Sequence, residues 1–266
     1  MPGRTTLHIE PAFRALLASH GLADFDALLA AGAAQTLDKA SLPPWRRRAR
    51  VTLGDAAVFI KTYHHPPAAE QLRARVRGYK ALAEIEWHWA KRLAALNIPA
   101  PGPVALGVRR QAGREVASLL VTAAVPGVSL QQWVADRGTV PRATRLALTR
   151  ELAHLVGRLH GAGLFHRDLY LAHVFIDEQG GLTLLDLHRL RHAPWLPLRW
   201  RVKDLAALHH STPAAAASGA DRLRFFKLYR GRQRLTCGDR LLLRLVLTKA
   251  RRIARHSRRH GLEPVR

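Results

Sequence analysis

Acidic residues are scarce in this sequence. Nineteen Asp and Glu stand against 43 Lys and Arg in 266 residues, a formal net charge of +24. Such an excess calls for an anionic partner: nucleic acid, an anionic membrane surface or a phosphorylated substrate. A genome that favours Arg over Lys explains the choice of cation but not the missing acids. Cysteine is nearly absent too. The single Cys237 excludes an internal disulfide and suits a reducing compartment. No apolar run is long enough to span a bilayer. The opening MPGRTTLHIEPAFRA lacks the apolar core of a signal peptide, so an intracellular protein is expected. Apolar residues make up 48% of the chain, enough for a large core in one domain or in two tightly joined lobes. There is no internal repeat and no low-complexity segment.

Residues 7 to 31 read as helical. RARVTLGDAAVFIKTY, residues 48 to 63, reads as two strands around a Gly54-Asp55 turn, and residues 68 to 97 as one long helix stopped by NIPAPGP. VALGVRR and VASLLVT read as two further strands. Leu148, Leu152, Leu155, Val156 and Leu159 share one face of a helix over 142 to 160. HVFID and LTLLDL are short strands around Gly180-Gly181, and everything beyond about residue 200 is helical in pattern. Strands and one helix first, helices later, is the order of a two-lobed protein-kinase-like α+β fold. The expected N-lobe, residues 1–122, is small and β-rich, with an N-terminal helix, a sheet and an αC-like helix. The expected C-lobe, residues 123–266, holds the catalytic loop, a metal-binding Asp and basic C-terminal helices. The hinge falls near Thr122 to Gly127.

Phosphoryl transfer needs a Lys on the phosphates, an acid to hold that Lys, an acid for magnesium and an acid at the acceptor hydroxyl. All four can be placed in chain order. Lys61 ends the apolar run AVFIK, as in the V-A-I-K strand. Leu82, Glu86, Trp89 and Leu93 are spaced four, three and four, so Glu86 lies on the apolar stripe of its helix and needs a cation there. Glu84, on the polar face, is the second choice. LFHRDLYLAHVFID, residues 164 to 177, begins like a kinase catalytic loop, with Asp168 as the acceptor-side base and His166 and Arg167 as supports. Asp186 follows an apolar strand eighteen positions later, where the magnesium ligand of D-F-G stands. His173 occupies the usual Asn place. Imidazole is a poor magnesium ligand, so besides the metal site its candidate roles are catalytic: donating to a phosphate oxygen or positioning Asp186. No G-x-G-x-x-G precedes Lys61, which leaves PPWRRRARVTLGD to cover a nucleotide with Arg side chains. With no A-P-E motif and only eighteen positions between Asp186 and Asp204, a protein substrate is disfavoured.

HRDLYLAHVF, LLDLHRL and RWRVKDLAALHHS together resemble the lipopolysaccharide kinase family of the inner core, and within it the core heptose kinases. The likeness runs from Lys61 to about Leu228, and His at position 173 is normal for that family. It implies ATP as donor, Mg2+ as cofactor and a heptose hydroxyl of the lipopolysaccharide core precursor as acceptor. Kdo kinase, or another small-molecule kinase of this fold, is the alternative. It also implies adenine contacts at Thr122, Ala123 and Val125, although Ala123 stands where an acid is common. Arg189, Arg199 and Arg201 are the expected binders of acidic groups near the acceptor.

Between residues 222 and 259 stand fourteen Lys or Arg and one acid, Asp239. A helix over 239 to 256 puts Leu242, Leu245, Val246 and Ile253 on one side and Arg240, Arg244, Arg251 and Arg255 on another. That pattern predicts peripheral binding to the anionic cytoplasmic face of the inner membrane, with a solvated basic face as the alternative. No nucleic-acid motif occurs, so no nucleic-acid partner is expected.

Overall fold

The computed structural model describes residues 3–34 and 42–259. The chain divides into two compact units, Met1–Val125 and Pro126–Arg266.

The first unit runs β1 (Arg4–Ile9), α1 (Arg14–Ser19), α2 (Phe25–Ala34), β2 (Arg46–Leu53), β3 (Ala56–His64), α3 (Ala68–Val76), α4 (Leu82–Ala95), β4 (Pro103–Gln111) and β5 (Arg114–Ala123). Among the described residues these strands form one antiparallel sheet in the order β1-β4-β5-β3-β2. Period-two alternation splits its faces. Val58, Ile60 and Leu53 turn toward Leu17, Phe25 and Leu28 of α1 and α2. Lys61 points the other way, with Arg48 directly across from it on β2 and Leu120 on β5.

Two expectations are corrected here. Residues 7 to 9 belong to an edge strand, because β1 pairs with β4 from Arg4 to Ile9. The remaining helix is broken at Gly21, whose φ of +69° is left-handed, and restarts where Asp24 Oδ1 accepts the Ala27 N–H at 2.9 Å. The long helix of 68 to 97 is two helices. Gly78, at φ +87°, ends the first, a conformation glycine adopts without a steric penalty.

The second unit runs β6 (Val128–Ser129), α5 (Leu130–Arg137), α6 (Arg142–Gly161), β7 (Leu164–Phe165), β8 (Val174–Ile176), β9 (Leu182–Leu184), β10 (Arg191–His192), α7 (Pro197–Ser211), α8 (Gly219–Arg230) and α9 (Cys237–Arg259). β6, β8 and β9 form a small antiparallel sheet, and β7 pairs with β10. Leu155, Val156 and Leu159 of α6 are buried, each contributing about 1.5–3 kcal/mol. The β7–β8 connection carries residues 166–173, and Asp186 stands two residues beyond the end of β9.

Candidate active site

In the first unit the Lys61 ammonium meets Glu86 Oε2, and Arg46 Nη2 lies 3.4 Å from Oε1. Glu86 is only 4% exposed. A carboxylate so buried is tolerated when cations and hydrogen bonds offset its lost hydration. α4 brings it there because Glu86 lies on the stripe that buries Leu82, Trp89 and Leu93. Glu84 does different work: its Oε2 accepts the Lys80 and Ala81 amides at 2.6 and 3.2 Å and caps the helix. Arg48 adds a third cation on the face of Lys61, and its buried Nε has no hydrogen-bond partner among the described residues. Thr122, near the end of β5, is buried. The Ala123 and Ala124 amides are engaged, donating to the Gly102 and Ala57 carbonyls at 2.8 and 2.9 Å, and Val125 ends the unit.

In the second unit the loop around Asp168 is held from below. Asp204 of α7 is fully buried and accepts the backbone N–H of His166 at 2.8 Å and of Arg167 at 2.7 Å. Burial lowers the pKa of His166, which keeps its ring neutral; its Nε2–H then donates to the Leu185 carbonyl at 2.7 Å. That bond ties the loop to the residue before Asp186. Arg167 and Asp186 both adopt left-handed backbone, at φ +67° and +57°. Such conformations in non-glycine residues persist where surrounding structure dictates them.

His173 links the two candidate acids. Its Nδ1 donates to the Asp168 carbonyl at 2.8 Å, and its Nε2 lies 3.8 Å from Asp186 Oδ2. With Nδ1 as the donor, a neutral ring turns a lone pair toward that carboxylate, and the two meet favourably only across a shared proton or cation. Asp168 receives Arg189 Nη1 at 3.0 and 3.3 Å from its two oxygens. The other two expected arginines belong to α7. Arg199 stands over the Trp200 ring at 4.8 Å, as Arg167 does at 4.6 Å, and the Arg201 Nε is buried without a hydrogen-bond partner among the described residues.

Among the described residues no cluster of three or more His, Cys, Asp or Glu forms a ready metal cage. Magnesium does not need one. It keeps waters and substrate phosphate oxygens and takes one or two carboxylates, so the Asp186 carboxylate suits it and the His173 imidazole suits it poorly.

Three residues escaped the reading by motif. Asp204 sits in the KDL triplet of α7 and acts through backbone amides, which leave no trace in a sequence. Lys203, beside it, is half-buried. Burial and the charge of Arg189 lower its pKa, while the nearby Asp168 works against that shift. Glu115 of β5 is buried and accepts the Leu82 N–H at 3.1 Å and the Ser118 hydroxyl at 2.6 Å, anchoring the start of α4; burial raises its pKa. An Asp inside an apolar helix, and a Glu in a strand of buried residues, were the available signals.

Comparison with known proteins bears on this arrangement. Residues 46–229 match the lipopolysaccharide kinase (Kdo/WaaP) family. The chain is 29% identical over 236 residues to the lipopolysaccharide core heptose(I) kinase WaaP of Escherichia coli K12, covering 82% of this chain and 87% of that protein. It is 31% identical over 191 residues to the protein of the same name from Pseudomonas aeruginosa, covering 67% of this chain and 71% of that one.

Proposed function

Because the chain belongs to the lipopolysaccharide kinase (Kdo/WaaP) family, we propose that it transfers the γ-phosphoryl group of ATP to a heptose hydroxyl of the lipopolysaccharide inner core. The observation that carries the reading is His173, which joins the Asp168 backbone to the Asp186 carboxylate in a chain similar to core heptose(I) kinases.

Each residue has a task in that reaction. Lys61, oriented by Glu86, grips the donor phosphates, and Arg46 and Arg48 supply positive charge in place of a glycine-rich loop. Backbone groups from Thr122 through Ala123 to Val125 face the adenine. Asp186 would hold Mg2+, which when bound neutralises charge on the phosphate oxygens. Asp168 accepts a hydrogen bond from the acceptor hydroxyl. As the new O–P bond forms and the bond from the γ-phosphorus to the bridging oxygen breaks, the hydroxyl proton passes to Asp168 and ADP leaves. Arg189 steadies the Asp168 carboxylate, and Arg189, Arg199 and Arg201 offer guanidinium forks to acidic groups on the acceptor. The substrate is membrane-anchored, and the exposed arginines of α9 suit peripheral attachment to an anionic leaflet. No helix among the described residues is long and apolar enough to cross a membrane. Purified chain with ATP should release ADP faster when lipopolysaccharide truncated after the first heptose is added. Stimulation by a heptose-less, Kdo-terminated lipid A alone would move the acceptor to Kdo.

A further inference from the structure

α9 carries two separate cationic stripes. Arg240, Arg244, Arg251 and Arg255 are exposed, on the side opposite the buried Leu242, Val246 and Ala250. Lys249, Arg252 and His256 recur at i, i+3 and i+7 and face another way. Together with Tyr170, His173 and His210 they line a cavity of about 620 Å³, within the ~300–1,000 Å³ usual for small-molecule sites.

The chemistry of this cavity is one-sided. Among the described residues no Asp or Glu lines it, and neither Lys249 nor Arg252 has an acidic partner. Two permanent cations, Lys249 and Arg252, converging without an acidic partner repel one another and gain from an anion between them. Its position is equally specific. Tyr170 is two residues beyond Asp168, a backbone reach of at most about 7 Å, and His173 touches the Asp168 carbonyl. The helix is pinned at its start: Asp239 is buried, bound to the Thr236 N–H at 3.0 Å and to Arg230 at 2.7 Å, with its pKa lowered to about 2 by those hydrogen bonds. Lys249 and Arg252 therefore belong to a fixed wall and not to a loose basic tail.

We propose that this cavity is an acceptor subsite that binds an acidic substituent, a phosphate or a carboxylate, on the sugar next to the one phosphorylated. The proposal rests on the kinase reading above and adds a specificity element to it. Binding energy gained at a remote acidic group is spent on holding the reacting hydroxyl in line at Asp168. A neutral core oligosaccharide is accordingly a poor acceptor.

The test is equilibrium binding of a deacylated, heptose-containing core oligosaccharide to the full chain, by calorimetry, with no bilayer present. Lys249→Ala/Arg252→Ala should weaken binding about tenfold or more, the loss of two charge-assisted contacts. ATP affinity should stay unchanged, and Lys249→Arg/Arg252→Lys should restore most of the loss. Arg244→Ala/Arg251→Ala/Arg255→Ala should bind this soluble ligand like the parent. Removing phosphates with hydrofluoric acid, or reducing the carboxylates, should abolish the penalty in one of the two arms and so identify the group. Parent-like binding by the alanine pair, or a penalty that persists on both neutralised ligands, overturns the subsite. A parent that binds through Lys249 and Arg252 but transfers no phosphate keeps the subsite and removes the kinase reading; transfer that is indifferent to both residues does the reverse.

Discussion

Asp204 touches only groups of the protein itself, yet it fixes the loop that presents Asp168. Its two oxygens take two backbone amides, whereas an asparagine has one acceptor oxygen and an NH2 group that faces the second N–H. Asp204→Asn should therefore cost about 1–3 kcal/mol, the penalty of an unpaired buried group, and lower the melting temperature and turnover together. Asp168→Asn and Asp186→Asn should behave differently. Each should reduce kcat by about a hundredfold or more, near 3 kcal/mol of barrier, while circular dichroism and melting stay close to the parent. Near-normal turnover in either folded variant contradicts the assignment. Asp168, His173 and Asp186 were legible in the sequence because their order and spacing repeat a motif. The role of Asp204 was not readable, since the amides it serves leave no mark in a sequence and its side-chain partner, His160 at 3.3 Å, lies 44 residues away.

At the scale of elements, α4 separates two carboxylates that lie two residues apart. Glu86 faces the sheet and Lys61, and Glu84 closes the helix start. Glu86→Gln should lower kcat and raise the KM for ATP in steady-state kinetics. Glu84→Ala should cost about 1 kcal/mol of stability, as lost caps do, and leave kcat alone; the opposite pattern would show that the wrong acid was placed on Lys61. The apolar stripe made this assignment readable from spacing alone. The break between α3 and α4 was less readable, because Gly78 is a single residue in a pattern that otherwise continues. β1 was hidden for another reason: an edge strand of six residues with mostly exposed side chains carries little periodic signal. The exposed stripe of α9 has its own consequence. Arg244→Ala/Arg251→Ala/Arg255→Ala should weaken cosedimentation with anionic vesicles, each charge contributing roughly 1 kcal/mol at low salt. Binding that is insensitive to salt, or unchanged in the triple variant, contradicts membrane attachment through this stripe.

For the molecule as a whole, a net charge of +24 opposes compaction through self-repulsion, and burial adds to it. His64, His88, His166 and His209 all have pKa values lowered from 6.5, desolvation being the first cause. The unfolded chain then binds more protons than the folded one just below pH 6.5, so stability rises with pH in that window and is lost as pH falls through it. Glu115, whose pKa is raised above 4.5, acts in the opposite sense, one group against four. Melting temperature should fall between pH 8 and pH 5.5 and rise with added sodium chloride at either pH; a pH-independent midpoint contradicts the buried neutral histidines. The same charge that burdens the fold suits an anionic acceptor. The most direct test is to incubate the chain with ATP and magnesium on two acceptors, lipopolysaccharide truncated after the first heptose and a lipid A carrying Kdo alone, and to locate the new phosphate by mass spectrometry. Phosphate should appear on heptose in the first and no product should form from the second, with Asp168→Asn giving neither. Phosphate on Kdo in the heptose-less acceptor would contradict the heptose assignment.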